Sequence, residues 1–176
     1  MVYLLGIAHS FQERTFRNFR DGGSLDHDPQ RSAQFEVYLD NLVSRIKPHI
    51  VCEESNESKV QEVRAIDDQS YSIAKKISDE HGIKHMFCDP DRRERCALYA
   101  KAATTEIDDA TNGYQLRERE WLRRIAPFTH CVLLFICGAN HVNSFKEKLE
   151  RDGVTVEVIC RDLGEEWDHA ENPPCC

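Results

Sequence analysis

Five short apolar runs constrain this chain more than any other feature. Val2–Ile7, His49–Glu53, Lys84–Cys88, Cys131–Cys137 and Thr155–Cys160 are rich in Val, Ile, Leu and Phe and lack clean alternation of apolar with polar residues. A strand with one wet face alternates. A run without alternation suits a strand buried on both faces, the habit of a parallel sheet. Parallel neighbours need long crossovers, usually helical, and helical segments do lie between the runs. Pro29–Lys47 carries Phe35, Leu39, Leu42, Val43 and Ile46 at helical spacing and stops before Pro48. Ser70–His81 ends at Gly82, and Asn143–Arg151 ends before Gly153; each glycine stands where a helix C-terminus adopts left-handed backbone. From about residue 92 to 126 runs a long helical insert, predicted to break near Thr111-Asn112-Gly113 and closed by Ala126-Pro127. The order predicts an α/β fold: a mostly parallel sheet of about five strands with helices on both faces.

A chain of 176 residues is most simply one domain. Residues 1–161 form that domain, and the acidic 162–176 reads as a loosely ordered tail. Ser10–Asp28 is polar, contains Asp21-Gly22-Gly23-Ser24 and comes directly after a candidate site residue, so it is placed to serve as a lid. The formal charge of −8 argues against nucleic acid or an anionic membrane as partner. No run approaches the ~20 apolar residues of a membrane span, and the first ten residues do not make a secretory signal. The expectation is a cytoplasmic protein acting on a peptide or small-molecule substrate; its acidic surface permits a homodimer without requiring one. The eight cysteines include no C-x-x-C pair, which argues against a structural zinc site of the usual spacing. Cys52, Cys88, Cys131, Cys137 and Cys160 are expected as buried thiols, small hydrophobes in a reducing compartment. Cys175-Cys176 leaves lipidation, metal binding and a disordered end open.

In an open parallel sheet, ligands bind outside the carboxyl ends of the strands. The residues just past each strand are therefore the candidates for a site. The first strand leads into Gly6-Ile7-Ala8-His9, the second ends in Glu53-Glu54, the third in Asp89-Pro90-Asp91, and the fourth leads into Gly138-Ala139-Asn140-His141. Two imidazoles with carboxylates are what a divalent transition metal requires, and equally what acid–base hydrolysis requires. Glycine at the strand end supplies positive φ or close backbone approach, so that the histidine three residues on can fold back over the edge. Gly6 and Gly138 are thereby the backbone positions nearest a bound cofactor. His27, His49, His81, His85, His130 and His169 lack such a context and read as surface or structural. The segment Gln115–Glu120 admits two readings: a solvated helix face with charge pairs, or an arginine held by carboxylates and turned toward the site to bind an anion.

Taken in order, these pieces resemble the TraB/TIKI/PrgY group, within the superfamily that includes erythromycin esterase-like and ChaN-like proteins. The matching segments are GIAH at 6–9, VCEE at 51–54, ERE at 118–120 and CGANHVNSFKEKLERDG at 137–153, spread over nearly the whole chain. Ile7 stands where many relatives carry Thr or Glu, and Glu120 where an Asp is usual. The resemblance implies hydrolytic chemistry, since TIKI members are described as metal-dependent proteases and erythromycin esterase-like members cleave an ester; ChaN-like members bind haem. By position, His9 and His141 match the motif histidines, Glu53 the strand-end glutamate and Arg119 the helical arginine.

The expectation is a metal-dependent hydrolase of a peptide or ester bond. His9, Glu53 and His141 hold a divalent ion (Mn, Co or Zn) with a position open for water. Glu54 or Asp89 acts as general base or as partner of a ligating histidine. Arg119, with Glu120 beside it, stabilises the oxyanion. The alternative is a non-catalytic binding or regulatory module for a peptide, a small ligand or haem. A third expectation makes Cys137, close to His141, a redox thiol, which demands an accessible thiolate of low pKa.

Overall fold

The computed structural model describes residues 1–7, 13–14, 29–64, 71–103 and 109–163. The five expected strands form with small changes at their ends: β1 (Val2–Ile7), β3 (Ile50–Glu53), β5 (Lys84–Phe87), β6 (Leu133–Gly138) and β7 (Val156–Cys160). They build one all-parallel sheet in the order β5-β3-β6-β1-β7. β1, β3 and β6 are buried almost throughout, which is why their sequences show no polar alternation. Two residues, β2 (Glu13–Arg14), pair antiparallel with β4 (Tyr71–Ser72) away from this sheet.

The helices are α1 (Pro29–Ile46), α2 (Glu57–Arg64), α3 (Ile73–Glu80), α4 (Arg92–Ala103), α5 (Asp109–Ile125) and α6 (Val142–Arg151). One face of the sheet, through Leu5, Val51, Leu134 and Ile136, packs on Phe35, Leu39, Leu42 and Val43 of α1 and on Ile73, Ala74 and Ile77 of α3. The opposite face, through Leu4, Cys52, Phe135 and Cys137, packs on Trp121 and Ile125 of α5 and on Val142, Phe145 and Leu149 of α6. The chain is therefore an α/β sandwich with two apolar layers, one on each face. Leu163 is also fully buried, so the packed core reaches into the segment after β7. The rest of the expected tail, 164–176, with Cys175-Cys176, lies outside the described residues.

The topology fixes where a site can lie. From β3 the chain leaves through α3 toward the β5 edge, on one face. From β6 it leaves through α6 toward the β7 edge, on the other. β3 and β6 are neighbours. Connections that part in this way open a crevice at the carboxyl ends of the two strands, the topological switch point of a doubly wound sheet.

Local differences from the sequence expectation have physical causes. The break expected near Thr111-Asn112-Gly113 does not form, because those three residues lie inside α5. A helical glycine costs only about 1 kcal/mol, and this one makes room for a neighbour: a Cβ on Gly113 would lie 3.3 Å from Tyr99 Oη. α2 carries no apolar stripe, so periodicity does not reveal it; Asn56 Oδ1 caps it by accepting from the Lys59 N–H at 2.8 Å. Gly82 (φ 65) and Gly153 (φ 77) do adopt the left-handed backbone expected of helix ends. Among the described residues no helix is long and apolar enough to cross a membrane.

Candidate functional site

Successive residues of a strand point to opposite faces, and this separates the two glutamates at the end of β3. Glu54 turns to the α5/α6 face and sits at the switch point. Its Oε2 accepts the backbone N–H of Gly138 at 2.7 Å, which ties the end of β3 to the end of β6. Its Oε1 pairs with the Arg117 guanidinium. Arg117 Nε also donates to Asp89 Oδ1 at 2.7 Å. Trp121 Nε1 donates to the same Asp89 oxygen at 3.1 Å, and Arg95 engages the other. Burial opposes the Arg117 charge, but Glu54 and Asp89 outweigh it and raise the guanidinium's pKa. Two buried carboxylates thus share one arginine from α5, with Arg95 of α4 as the second cation on Asp89; the planar fork of Arg117 satisfies this geometry and Lys does not.

His141 lies beside this cluster, in the 3-10 turn Ala139–His141 that leads into α6, and is 1% exposed. Its Nδ1 is 2.8 Å from Glu118 Oε1. An ionised carboxylate only accepts, so Nδ1 carries the proton. Glu118 is itself held by Ser144 Oγ at 2.6 Å and Lys148 Nζ at 2.6 Å, both from α6. Burial alone would raise the Glu118 pKa; the hydrogen bonds from His141, Lys148 and Ser144 more than reverse this, and it falls below the ordinary carboxylate value. The other ring nitrogen, Nε2, is buried and has no hydrogen-bond partner among the described residues. It faces Glu54 Oε1 across 3.4 Å. Tyr114 and Trp121 flank the ring edge-on, with centroids 4.5 and 4.8 Å away.

Of the residues singled out in the sequence, the structure brings Glu54, Asp89, Gly138 and His141 together. Glu53 is not with them. It faces the α1/α3 side, where its Oε1 accepts from Ser72 Oγ and from His85 Nε2 at 2.8 Å. Its Oε2 is buried without a partner among the described residues. His85, read as structural from the sequence, is therefore the imidazole of Glu53. Its signal was the register: His85 pairs with Val51, which shares a face with Glu53. Arg119 is exposed, and Glu120 pairs with Arg123 and Arg124 on the outer side of α5. The arginine that reaches the site is Arg117, two residues earlier, and the acid that orients His141 is Glu118. His9 and the candidate lid segment, apart from the short pairing of Glu13–Arg14, lie outside the described residues.

Neither glycine of the Gly-x-x-His motifs adopts positive φ, and at Gly6 it is space that requires glycine. A Cβ on Gly6 would come within 2.0 Å of the Arg161 carbonyl oxygen and 2.5 Å of Val142. Gly138 has φ −60 and ψ 143, which any residue adopts, and its visible task is the N–H given to Glu54. Cys137 is fully buried, and burial, with Glu54 and Glu118 nearby, pushes its thiol well above the ordinary range. That overturns the redox expectation, which needed an accessible, low-pKa thiolate.

The arrangement is a buried imidazole with one nitrogen fixed by a carboxylate and the other aimed at a second carboxylate. Such a ring can take up a proton or ligate a metal. Among the described residues no group of three His, Cys, Asp or Glu is gathered in a metal-binding arrangement. No family model, no curated protein and no solved structure matches the chain.

Proposed function

We propose that this protein is a metal-dependent hydrolase of a peptide or ester bond, with its centre at the β3/β6 switch point. One observation carries the reading: the unpartnered Nε2 of His141 lies 3.4 Å from Glu54 Oε1 while Glu118 fixes Nδ1. Glu54 Oε1 already has Arg117, so the orphan among the described residues is Nε2, a buried polar atom that a cation held jointly with Glu54 would satisfy. Two ligands each about 2.1 Å from a tetrahedral ion stand roughly 3.4 Å apart, so the spacing fits a shared cation. The carboxylate behind Nδ1 is the partner that ligating histidines commonly keep. Glu54 takes the ligand position that the sequence expectation gave to Glu53. His9 is the third donor, assigned from the Gly-x-x-His motif and its resemblance to the TraB/TIKI/PrgY group.

When bound, the divalent ion supplies Lewis acidity toward a carbonyl and an acidified water. The chain's own residues do the rest. Glu118, Ser144 and Lys148 hold the imidazole in one tautomer and one orientation. Arg117 holds Glu54 pointed at the switch point, and with Asp89 it fixes α5 against the strand ends. Trp121 and Tyr114 enclose the ring and limit water around it.

The test is metal content and thermal stability of the purified protein with manganese, cobalt and zinc, then peptide and ester assays. Stabilisation by one of these ions is expected in the wild type and in Glu53→Gln, and not in His141→Ala. His141→Ala should also lower turnover by roughly a hundredfold or more. Absence of bound metal and of any thermal shift in the wild type would sink the metal reading. The runner-up is a non-catalytic binding module, favoured by the saturation of Asp89, both of whose oxygens are already engaged. Metal binding without turnover of any peptide or ester would support it.

A further inference from the structure

Among the described residues the buried carboxylates are Glu53, Glu54, Asp89 and Glu118. Glu54 and Asp89 share Arg117, Asp89 also has Arg95, and Glu118 has Lys148. Glu53, fully buried, has no lysine or arginine partner among the described residues. Its partners there are Ser72 and His85, and both meet the same oxygen, Oε1. Oε2 is buried and meets neither. A carboxylate oxygen left bare away from water is costly, so native folds supply a partner for it. Ser55 Oγ is in the same condition, buried and without a partner among the described residues. The β3 ladder runs on past Glu53: the Glu54 N–H donates to the Ile136 carbonyl at 2.8 Å, and the Ser55 carbonyl accepts from the Asp89 N–H at 3.0 Å. Side chains two apart along a strand share a face, with Cα atoms about 6.6 Å from each other. Ser55 therefore continues the face of Glu53, on the α1/α3 side, and the two orphaned oxygens are neighbours there.

We propose that Glu53 Oε2 and Ser55 Oγ hold a monovalent metal cation, sodium or potassium, at the α1/α3 side of the carboxyl edge. The donor set decides the class. Both donors are oxygens, which hard cations take. One carboxylate brings one negative charge, and one positive charge balances it. A divalent transition ion asks for more, and among the described residues no three His, Cys, Asp or Glu gather for it. The ion does for Glu53 what Arg117 does for Glu54 and Lys148 for Glu118. It steadies the carboxylate that accepts from Ser72, the N-cap of α3, and from His85 of β5. The inference goes beyond the hydrolase reading and does not rest on it, since the divalent ion proposed there belongs to His141 and Glu54 on the other face.

The test is thermal unfolding of the full chain in sodium, potassium and choline chloride at equal ionic strength, with a chelator present to remove divalent ions. Choline carries the same charge but is too bulky to sit between two buried oxygens. At ten times its dissociation constant, the bound ion should raise the melting temperature above that in choline by roughly 3–5 °C, and the larger rise identifies the preferred ion. Glu53→Gln should remove the difference between the salts. Ser55→Ala keeps the carboxylate and loses one small hydroxyl, so it should fold and need several-fold more of the same ion for half the effect. Equal melting temperatures in the three salts would leave His85 as the countercharge of Glu53 and overturn the proposal. A Glu53→Gln variant that keeps the wild-type difference, or a Ser55→Ala variant with wild-type affinity, would overturn it as well. None of these outcomes bears on stabilisation by manganese, cobalt or zinc, so failure here and failure of the hydrolase reading are distinguishable.

Discussion

Nδ1 of His141 donates to a carboxylate that also accepts from Ser144 and Lys148. Glu118 is fully buried, and its ionised form persists because three donors converge on it. This makes the fold sensitive to acid. The folded-state pKa of Glu118 lies below its ordinary value of 4.5, so between those values the unfolded chain binds a proton that the folded chain does not. Stability then rises with pH across that window: the contribution is complete above about pH 4.5 and is lost as pH falls through the folded value. Urea midpoints measured from about pH 6 down to about pH 3 should fall less steeply for Glu118→Gln than for the wild type. Equal slopes would mean that Glu118 is not held ionised by its neighbours. The variant should also start lower, because it leaves Lys148 without its buried partner.

Helix α5 shows how the phase of an element decides which of its residues matter. Tyr114, Arg117, Glu118, Trp121 and Ile125 fall on one stripe of a helix with 3.6 residues per turn, and Trp121 and Ile125 anchor that stripe in the core. Arg119 and Glu120 fall off it. Arg117→Met should cost about 3–5 kcal/mol, since it takes from buried Glu54 and Asp89 the cation they share; Arg119→Ala should stay within about 0.5 kcal/mol. Chemical denaturation compares the two, and a milder loss for Arg117→Met than for Arg119→Ala would contradict the phase. The apolar residues Trp121 and Ile125 already contained this phase, but the motif drew attention to the middle of Glu118-Arg119-Glu120. The glutamate pair at the end of β3 was harder. Alternation shows that Glu53 and Glu54 point apart, yet which of them meets α5 depends on which helices cover which face, and no single strand carries that. The strands themselves were legible because burial on both faces removes polar residues from them. α2 was not, because eight mostly polar residues leave no stripe to read.

For the molecule as a whole, the sheet separates two cores and isolates most of the described thiols from solvent. Cys52, Cys88 and Cys137 are fully buried on the α5/α6 side, whereas Cys96 is exposed on α4. Maleimide labelling resolved by peptide mass should modify Cys96 in the native protein. Cys52, Cys88 and Cys137 should resist until global unfolding and then react together, as members of one cooperative core. A Cys137 that reacts in the native state as fast as Cys96 would contradict its placement in that core and reopen its use as a redox thiol.

The position of β1 has a further consequence, for the order in which the protein can be made. β1 lies inside the sheet, between β6 and β7, and both neighbours come after it by more than a hundred residues of chain. A ribosome adding ~5–20 residues per second needs roughly 10 s to supply them. For that interval Val2–Ile7 is an apolar segment with two empty edges, whereas β3 and β5 can pair as soon as both have emerged. The half of the sheet built from β3 and β5 is free to form during synthesis, and the half that holds β1 closes only near the end of it. The site at the β3/β6 boundary is the seam between the two, and so cannot be assembled until β6 has emerged.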